Sequence, residues 1–297
     1  MPQEPHPESD QSLQDELLRL DVATRAPLVT RRDLLRWGAS GALTALFAGC
    51  YGSVGASAVQ LERHTLHLPR WDADGMRVAL FSDLHSIDAI AVARVQKAVR
   101  LALEEKPDLI VIPGDFLNFS EEPFIKLLLQ SVEGLHEAKC PVIGTLGNHD
   151  YWTNNPRDII DAIREKTPIK LLRNESVEFE GVTIAGLDDG LVNRHRPKFL
   201  DELDNRSLLL LFHEPDFVEE VPKHVSLQLS GHSHGGQICL PGGLHVKTPR
   251  GAWKYIRGFY PDARAPLFVT KGVGTVGIPC RSFCPPEVTL LTLRSAS

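Results

Sequence analysis

Met76-Arg77-Val78-Ala79-Leu80-Phe81-Ser82-Asp83-Leu84-His85 is an apolar run that stops on an acid and an imidazole. Residues 76–82 read as a buried strand. Ala89 to Glu105 carries apolar residues at helical spacing and ends before Pro107, so a helix comes next. The unit then repeats. Leu109–Ile112 is a second apolar strand, running into Gly114-Asp115, and Pro123–His136 reads as a helix. Val142–Leu146 is a third strand, running into Gly147-Asn148-His149-Asp150, and Arg157–Lys166 is another helix. Such alternation predicts parallel strands covered on both faces. The second half is richer in strands: Ile169–Leu172, Val177–Phe179, Val182–Leu187, Leu208–Phe212, Ser226–Leu229, Leu267–Thr270 and Val288–Leu293. The expectation is an α/β domain of two stacked mixed sheets flanked by helices.

The residues just past each strand carry the chemistry. Beyond the three strands above, Leu208–Phe212 runs into His213, and Ser226–Leu229 into Gly231-His232-Ser233-His234-Gly235-Gly236. Ligands bind beyond the carboxyl ends of strands in open α/β sheets, so Asp83, His85, Asp115, Asn148, His149, His213, His232 and His234 are expected to converge. Carboxylates and imidazoles suit Mn, Fe, Zn and similar ions, and one Asp can bridge two cations. The Asp83-x-His85 and His232-x-His234 spacings predict that each pair shares one side of an extended segment. A structural site with a single metal needs about four ligands, fewer than are present here.

The chain has 297 residues, 42% hydrophobic and 24% charged, with a net charge of -6. That is an ordinary globular composition, and its mild acidity argues against a dedicated nucleic-acid partner. No Cys-x-x-Cys pair occurs, which excludes the usual thiolate zinc site. Cys140, Cys239, Cys280 and Cys284 are free thiols or disulfides, and spacing does not decide which.

Residues 1–58 read as a polar N-terminus and an export or anchor segment, ahead of a domain at 59–297. Thr30-Arg31-Arg32-Asp33-Leu34-Leu35-Arg36 precedes an uncharged stretch, Trp37 to Gly49, that is too short to span a bilayer. The paired arginines resemble a twin-arginine export signal, which implies the twin-arginine machinery as a partner and a site of action outside the cytoplasm. Ala56-Ser57-Ala58 fits a cleavage site, and Ala48-Gly49-Cys50 resembles a lipoprotein box that would lipidate Cys50.

In this order, the Asp-x-His, Gly-Asp, Gly-Asn-His-Asp, His and Gly-His-Ser-His motifs resemble the calcineurin-like metallophosphoesterases. The resemblance implies a four-layer αββα sandwich and two divalent metal ions. Carried over by position, Asp83, His85 and His234 would hold the first ion, Asn148, His213 and His232 the second, and Asp115 would bridge them. His149 would be a general acid facing the substrate, after attack by a metal-activated hydroxide. Protein-phosphatase members have an Asp where this chain has Asn118, which weighs against that branch. The ending Cys284-Pro285-Pro286-Glu287-Val288-Thr289, with the paired arginines, resembles the YkuE-type exported phosphodiesterases. That group is similar to enzymes cleaving the pyrophosphate of UDP-diacylglucosamine. It implies an anionic phosphodiester or pyrophosphate substrate of envelope, lipid-linked or nucleotide type, with membrane or cell-wall association. A phosphomonoesterase, or a binding protein without activity, are the alternatives.

Between His245 and Arg281 lie Lys247, Arg250, Lys254, Arg257, Arg264, Lys271 and Arg281, opposed by Asp262 alone and interleaved with Trp253, Tyr255, Phe259 and Tyr260. Arginine matches phosphate geometry and aromatic rings stack on bases or sugars, so Lys254 and Arg257 are the expected substrate contacts.

Overall fold

The computed structural model describes residues 59–118, 122–152, 155–203 and 206–296. The export, cleavage and lipidation expectations, including Arg31, Arg32 and Cys50, lie outside the described residues.

Twelve strands form two six-stranded sheets among the described residues. They are β1 (Gln60–Leu68), β2 (Met76–Leu80), β3 (Leu109–Pro113), β4 (Val142–Thr145), β5 (Ile169–Leu171), β6 (Glu175–Phe179), β7 (Val182–Gly186), β8 (Leu208–Leu211), β9 (Leu227–Ser230), β10 (Gly258–Tyr260), β11 (Leu267–Val269) and β12 (Glu287–Ser295). The first sheet runs β1-β12-β2-β3-β4-β5, with β2 to β5 parallel and β12 antiparallel to β2. The second runs β10-β11-β9-β8-β7-β6, with a parallel centre and an antiparallel strand at each edge.

Alternate residues on each strand serve opposite faces. Val78, Leu80, Leu109 and Val111 of the first sheet meet Val182, Ile184, Leu209, Leu211, Leu227 and Leu229 of the second in one core between the sheets. Burying each of these side chains is worth about 1.5–3 kcal/mol. On the other face of the second sheet, Leu208, Leu210 and Phe212 pack with Leu200, Val218 and Val221. Those last three come from the 3-10 segments Pro197–Glu202 and Pro215–Glu220 and from Val221 just beyond, so this outer layer is made of short turns rather than long helices.

The α-helices are α1 (Ala89–Glu104), α2 (Glu122–Val132), α3 (Asn148–Tyr151) and α4 (Pro156–Lys166). The Asp88 carboxylate caps α1 by accepting the Ala91 N–H at 2.7 Å, and Pro156 opens α4 behind Asn155. The helix expected to run to His136 instead tightens into a 3-10 turn, Glu133–Glu137. Gly134, a poor helix former, falls within it. Strand β1 is not evident in the sequence because Glu62, Arg63, His64 and His67 give its edge a polar character. It is held by parallel pairing with β12 over nine residues.

Candidate metal centre

Strands β2, β3 and β4 deliver Asp83, His85, Asp115 and Asn148 from one sheet. Strands β8 and β9 deliver His213, His232 and His234 from the other. Two groups result, each with its ligand atoms within 4.8 Å of one another: Asp83, His85, Asp115 and His234, and Asp115, His213 and His232. Both contain Asp115, and every member is buried. Asp115 Oδ2 lies 3.1 Å from His213 Nε2 and 3.6 Å from His85 Nε2. Asp83 Oδ1 lies 3.5 Å from His234 Nε2. Asn148 is buried at the start of α3.

The pairs do not share a side of an extended segment, as the spacing suggested. Asp83, His85, Asp115, His232 and His234 all have left-handed backbone, with φ of 54°, 44°, 55°, 65° and 50°. Such conformations cost about 1–3 kcal/mol each in a side-chain-bearing residue and need neighbours to enforce them. Here the Asp83 carboxylate accepts the His232 N–H at 2.9 Å and the Ser82 hydroxyl. Asp115 Oδ1 accepts the His149 N–H at 2.9 Å.

The adjacent glycines supply room. A Cβ on Gly147 would sit 2.3 Å from Asp115 Oδ1, and one on Gly231 2.4 Å from Asp83 Oδ2.

Second partners fix the ring tautomers. His213 Nδ1–H donates to the Pro113 carbonyl at 2.7 Å, which leaves Nε2 as the lone pair facing the cluster. His232 Nε2–H donates to the Arg250 carbonyl at 2.7 Å, which leaves Nδ1 facing inward. These two inward nitrogens are 3.2 Å apart. Two lone pairs at that distance repel unless a cation lies between them or a proton is added. His85 Nε2 and His234 Nε2 also approach each other, at 3.2 Å, and there Arg281 donates to His234 Nδ1 at 3.4 Å, so no backbone carbonyl fixes that tautomer. Asn148 Oδ1 and His85 Nδ1 are buried without a hydrogen-bond partner. The donor set, the facing nitrogens and the orphaned Asn148 oxygen all fit divalent cations.

Burial and neighbouring charge push these groups in opposite directions. Burial alone would lower the His213 pKa, but Asp115 and Asp83 raise it well above its ordinary value. Burial pushes the Asp83 carboxyl up to about 6, and it pushes His85 down to about 3 and His232 down to about 4.

His149 stands outside the two groups and is partly exposed. Its ring is edge-on to His85 with centroids 5.0 Å apart, and lies 4.2 Å from the Trp152 ring. Lys254 and Arg257 belong to neither group. Lys254 Nζ pairs with Glu219 Oε1 at 2.5 Å. The Arg257 guanidinium donates to the carbonyls of Gly235, at 3.0 Å, and Gly243. The four cysteines at 140, 239, 280 and 284 are free.

Two supporting residues, Asp150 of the Gly-Asn-His-Asp motif and Arg281 of the basic run, are given no supporting role by the sequence. Asp150 is buried, and its carboxylate accepts N–H groups from Phe116 at 2.9 Å, Leu117 at 3.1 Å and Gly147 at 2.9 Å. It ties the loop after β3 to the loop after β4. Its position three residues after Gly147, at the head of a helix, is a capping pattern that would have marked it. Arg281 is fully buried and donates to the carbonyls of Gly274 at 2.9 Å, Lys271 at 2.8 Å and His234 at 3.2 Å. Nothing in a run of basic residues separates it from its neighbours.

Fold and centre together define an α/β protein with Asp and His donors clustered at its strand ends. The profile of the calcineurin-like phosphoesterases matches residues 76–236, more than half of the chain, and the chain belongs to that family. It is 31% identical over 268 residues to an uncharacterized metallophosphoesterase of Aquifex aeolicus, covering 84% of this chain and 97% of that protein. It is 30% identical over 276 residues to the uncharacterized metallophosphoesterase YkuE of Bacillus subtilis, covering 87% and 94%. It is 28% identical over 244 residues to the phosphodiesterase YaeI of Escherichia coli, covering 79% and 88%. Family and site make the chain a metal-dependent phosphoester hydrolase.

Proposed function

We propose that the chain is a two-metal phosphodiesterase acting on a phosphodiester or pyrophosphate bond of an envelope, lipid-linked or nucleotide substrate. The observation that carries this reading is the pair of donor groups sharing Asp115. Asp83, His85, His234 and Asp115 would hold one ion, and Asp115, Asn148, His213 and His232 the other. The ions are Mn, Fe or Zn, as the mixed carboxylate and imidazole donors favour. When bound, divalent cations polarise the phosphoryl oxygens and lower the pKa of a water so that a hydroxide nucleophile exists near neutral pH.

The chain's own residues do the rest. Pro113 and Arg250 carbonyls hold the imidazoles of His213 and His232 in the tautomers that present a lone pair inward. Asp83 and Asp115 bring only two negative charges, so a centre loaded with two dications and a hydroxide would remain cationic, complementary to an anionic ester. His149 gives a ring proton to the leaving oxygen, from a position where Asp115 fixes its backbone. That YaeI is a phosphodiesterase supports the diester over the monoester.

The test is to strip the metal from the full-length protein and add back Mn, Zn or Fe. Cleavage of bis-p-nitrophenyl phosphate is then compared with that of p-nitrophenyl phosphate. Restored diester cleavage, abolished in Asp115→Ala and slowed in His149→Ala, is the expected result. Faster monoester cleavage would overturn the diester assignment, and a folded protein that takes up no metal would overturn the centre.

Export belongs to the same proposal. The Arg31-Arg32 pair directs the folded enzyme through the twin-arginine route, to a periplasmic, membrane-anchored or Cys50-lipidated location. An Arg31→Lys/Arg32→Lys variant that still leaves the cytoplasm would refute it.

A further inference from the structure

The segments around the centre have a composition unlike the rest of the chain. Asp262 is the sole acid between Glu220 and Glu287, a span that holds Lys223, Lys247, Arg250, Lys254, Arg257, Arg264, Lys271 and Arg281. Five of the six exposed large apolar side chains among the described residues also fall there. They are Leu240 at 39% exposure, Leu244 at 63%, Val246 at 45%, Trp253 at 69% and Ile278 at 42%. Scattered exposed apolar residues are ordinary, but a gathering of them marks an interaction surface.

Hydrogen bonds place these residues on the rim of the centre. Directly after His234-Gly235-Gly236 the chain doubles back. The Leu240 N–H donates to the Leu244 carbonyl at 2.8 Å, and the Val246 N–H donates to the Ile238 carbonyl at 3.1 Å. Pro241-Gly242-Gly243 forms the tip, and a Cβ on Gly242 would meet nothing within 4 Å, so the tip projects from the body. Gln237 Nε2 donates to the carbonyls of Val276 at 3.0 Å and Ile278 at 2.9 Å, which draws Ile278 beside this hairpin. Trp253 follows Arg250, whose carbonyl caps His232, and Gly251, which packs against the same ring. The Arg257 guanidinium joins that segment to the hairpin at Gly243. Three apolar points therefore lie on segments bonded to the His232–His234 loop, and the exposed Lys247 and Arg250 lie in the same stretch of chain.

A projecting glycine tip with a few aliphatic side chains, an exposed Trp and the exposed Lys247 and Arg250 is chemically matched to an anionic lipid headgroup layer, while the nearby acids are engaged, Asp216 by the Trp253 and Lys254 N–H groups and Glu219 by Lys254. Trp sits at the boundary between apolar and wet, and each Lys or Arg near such a surface adds about 1 kcal/mol of attraction. The uncharged Trp37–Gly49 stretch is a second membrane-directed element in the same sequence, and stable anchoring takes two.

We infer that the rim of residues 238–246, 250–253 and 276–280 docks on an anionic bilayer, with Leu244, Trp253 and Ile278 entering the headgroup layer. The mouth of the centre then faces the headgroup phosphates, and a phosphoester amphiphile reaches it from the membrane plane. This last consequence rests on the two-metal reading, whereas the docking does not.

The test uses the full chain and the native Trp253 as a local probe. Vesicles of phosphatidylglycerol and brominated phosphatidylcholine should quench an emission component that Trp253→Phe removes. That component should be lost in Leu244→Asp/Ile278→Asp, while hydrolysis of a soluble diester is unchanged. Should that pair reduce soluble turnover, Leu244→Ser/Ile278→Ser repeats the readout. Quenching that is identical in wild type and Trp253→Phe would overturn the docking, even if residues 1–58 carry the protein onto vesicles. Equal Trp253 quenching on neutral phosphatidylcholine would overturn the anionic assignment. A lipid-free dimer dispersed by the same variants would assign the rim to a second copy of the chain. Loss of soluble hydrolysis in wild type alongside intact quenching would reject the two-metal reading and leave the docking standing.

Discussion

Replacing Gly147 with Ala adds a single methyl at the tightest point of the centre. The backbone there has φ of -111° and ψ of 177°, which alanine adopts freely, so no conformational strain is introduced. The new Cβ would lie 2.3 Å from Asp115 Oδ1, 2.6 Å from the Asp115 nitrogen and 2.8 Å from His213 Nε2. Real Cβ atoms essentially never approach closer than 3.0 Å, so the Asp115 carboxylate must retreat by at least about 0.7 Å. That carboxylate belongs to both donor groups, so the retreat disturbs both. A misplacement near 1 Å costs on the order of 100-fold in rate, or about 2.7 kcal/mol of transition-state stabilisation. Overpacking should cost a further ~1–3 kcal/mol in folding, a Tm loss of roughly 2–4 °C per kcal/mol. The assay is kcat/KM on the diester at saturating metal, with metal content and thermal unfolding measured on the same sample. A Gly147→Ala protein that holds two metals per chain and turns over within about twofold of wild type would refute the close approach of Asp115 and His213 to this loop.

Other residues give separable signatures. Asp150→Ala leaves the N–H groups of Phe116, Leu117 and Gly147 unsatisfied, at ~1–3 kcal/mol each, so urea unfolding of the metal-free protein should show a loss of at least about 3 kcal/mol. Arg281→Met strips the buried carbonyls of Gly274, Lys271 and His234 of a donor. It should lower metal occupancy as well as stability, read by metal analysis after gel filtration. Glu62 bonds Lys271 Nζ at 2.6 Å, and although burial alone would raise its pKa, that ammonium holds it below the ordinary 4.5. Its contribution is present above pH 4.5 and is lost as pH falls through the depressed value. Wild type should therefore lose more stability than Glu62→Gln as the pH drops below 4.5, measured by denaturant midpoints across that range.

The residues legible in the sequence are those whose identity does the work and whose position lies just past a strand. Val78, Ala79 and Leu80 announce β2 as a continuous apolar run, and Asp83 stands just past its end. The same logic locates Asp115, Asn148, His213, His232 and His234. It fails where the partner is a backbone atom. The Pro113 and Arg250 carbonyls decide which nitrogen of His213 and His232 faces inward, yet any residue type carries a carbonyl, so no letter in the sequence marks them. It says least about Arg257 and Lys254, because a count of basic residues gives charge without direction. The Arg257 guanidinium is turned toward Gly235 and Gly243, and Lys254 toward Glu219. The extended geometry expected of Asp83-x-His85 and His232-x-His234 fails for a different reason. Spacing assumes relaxed backbone, and these four residues are held at positive φ. The enforcing groups, the Asp83 carboxylate on the His232 N–H and Arg281 on the His234 carbonyl, come from the opposite sheet and from a loop almost fifty residues away. The first sheet and the Arg281 loop thus hold the His232–His234 segment of the second in its positive-φ conformation. The ligand loops are therefore set by the packing of the two sheets as well as by any bound cation, and an apo chain should already hold Asp115 beside His213.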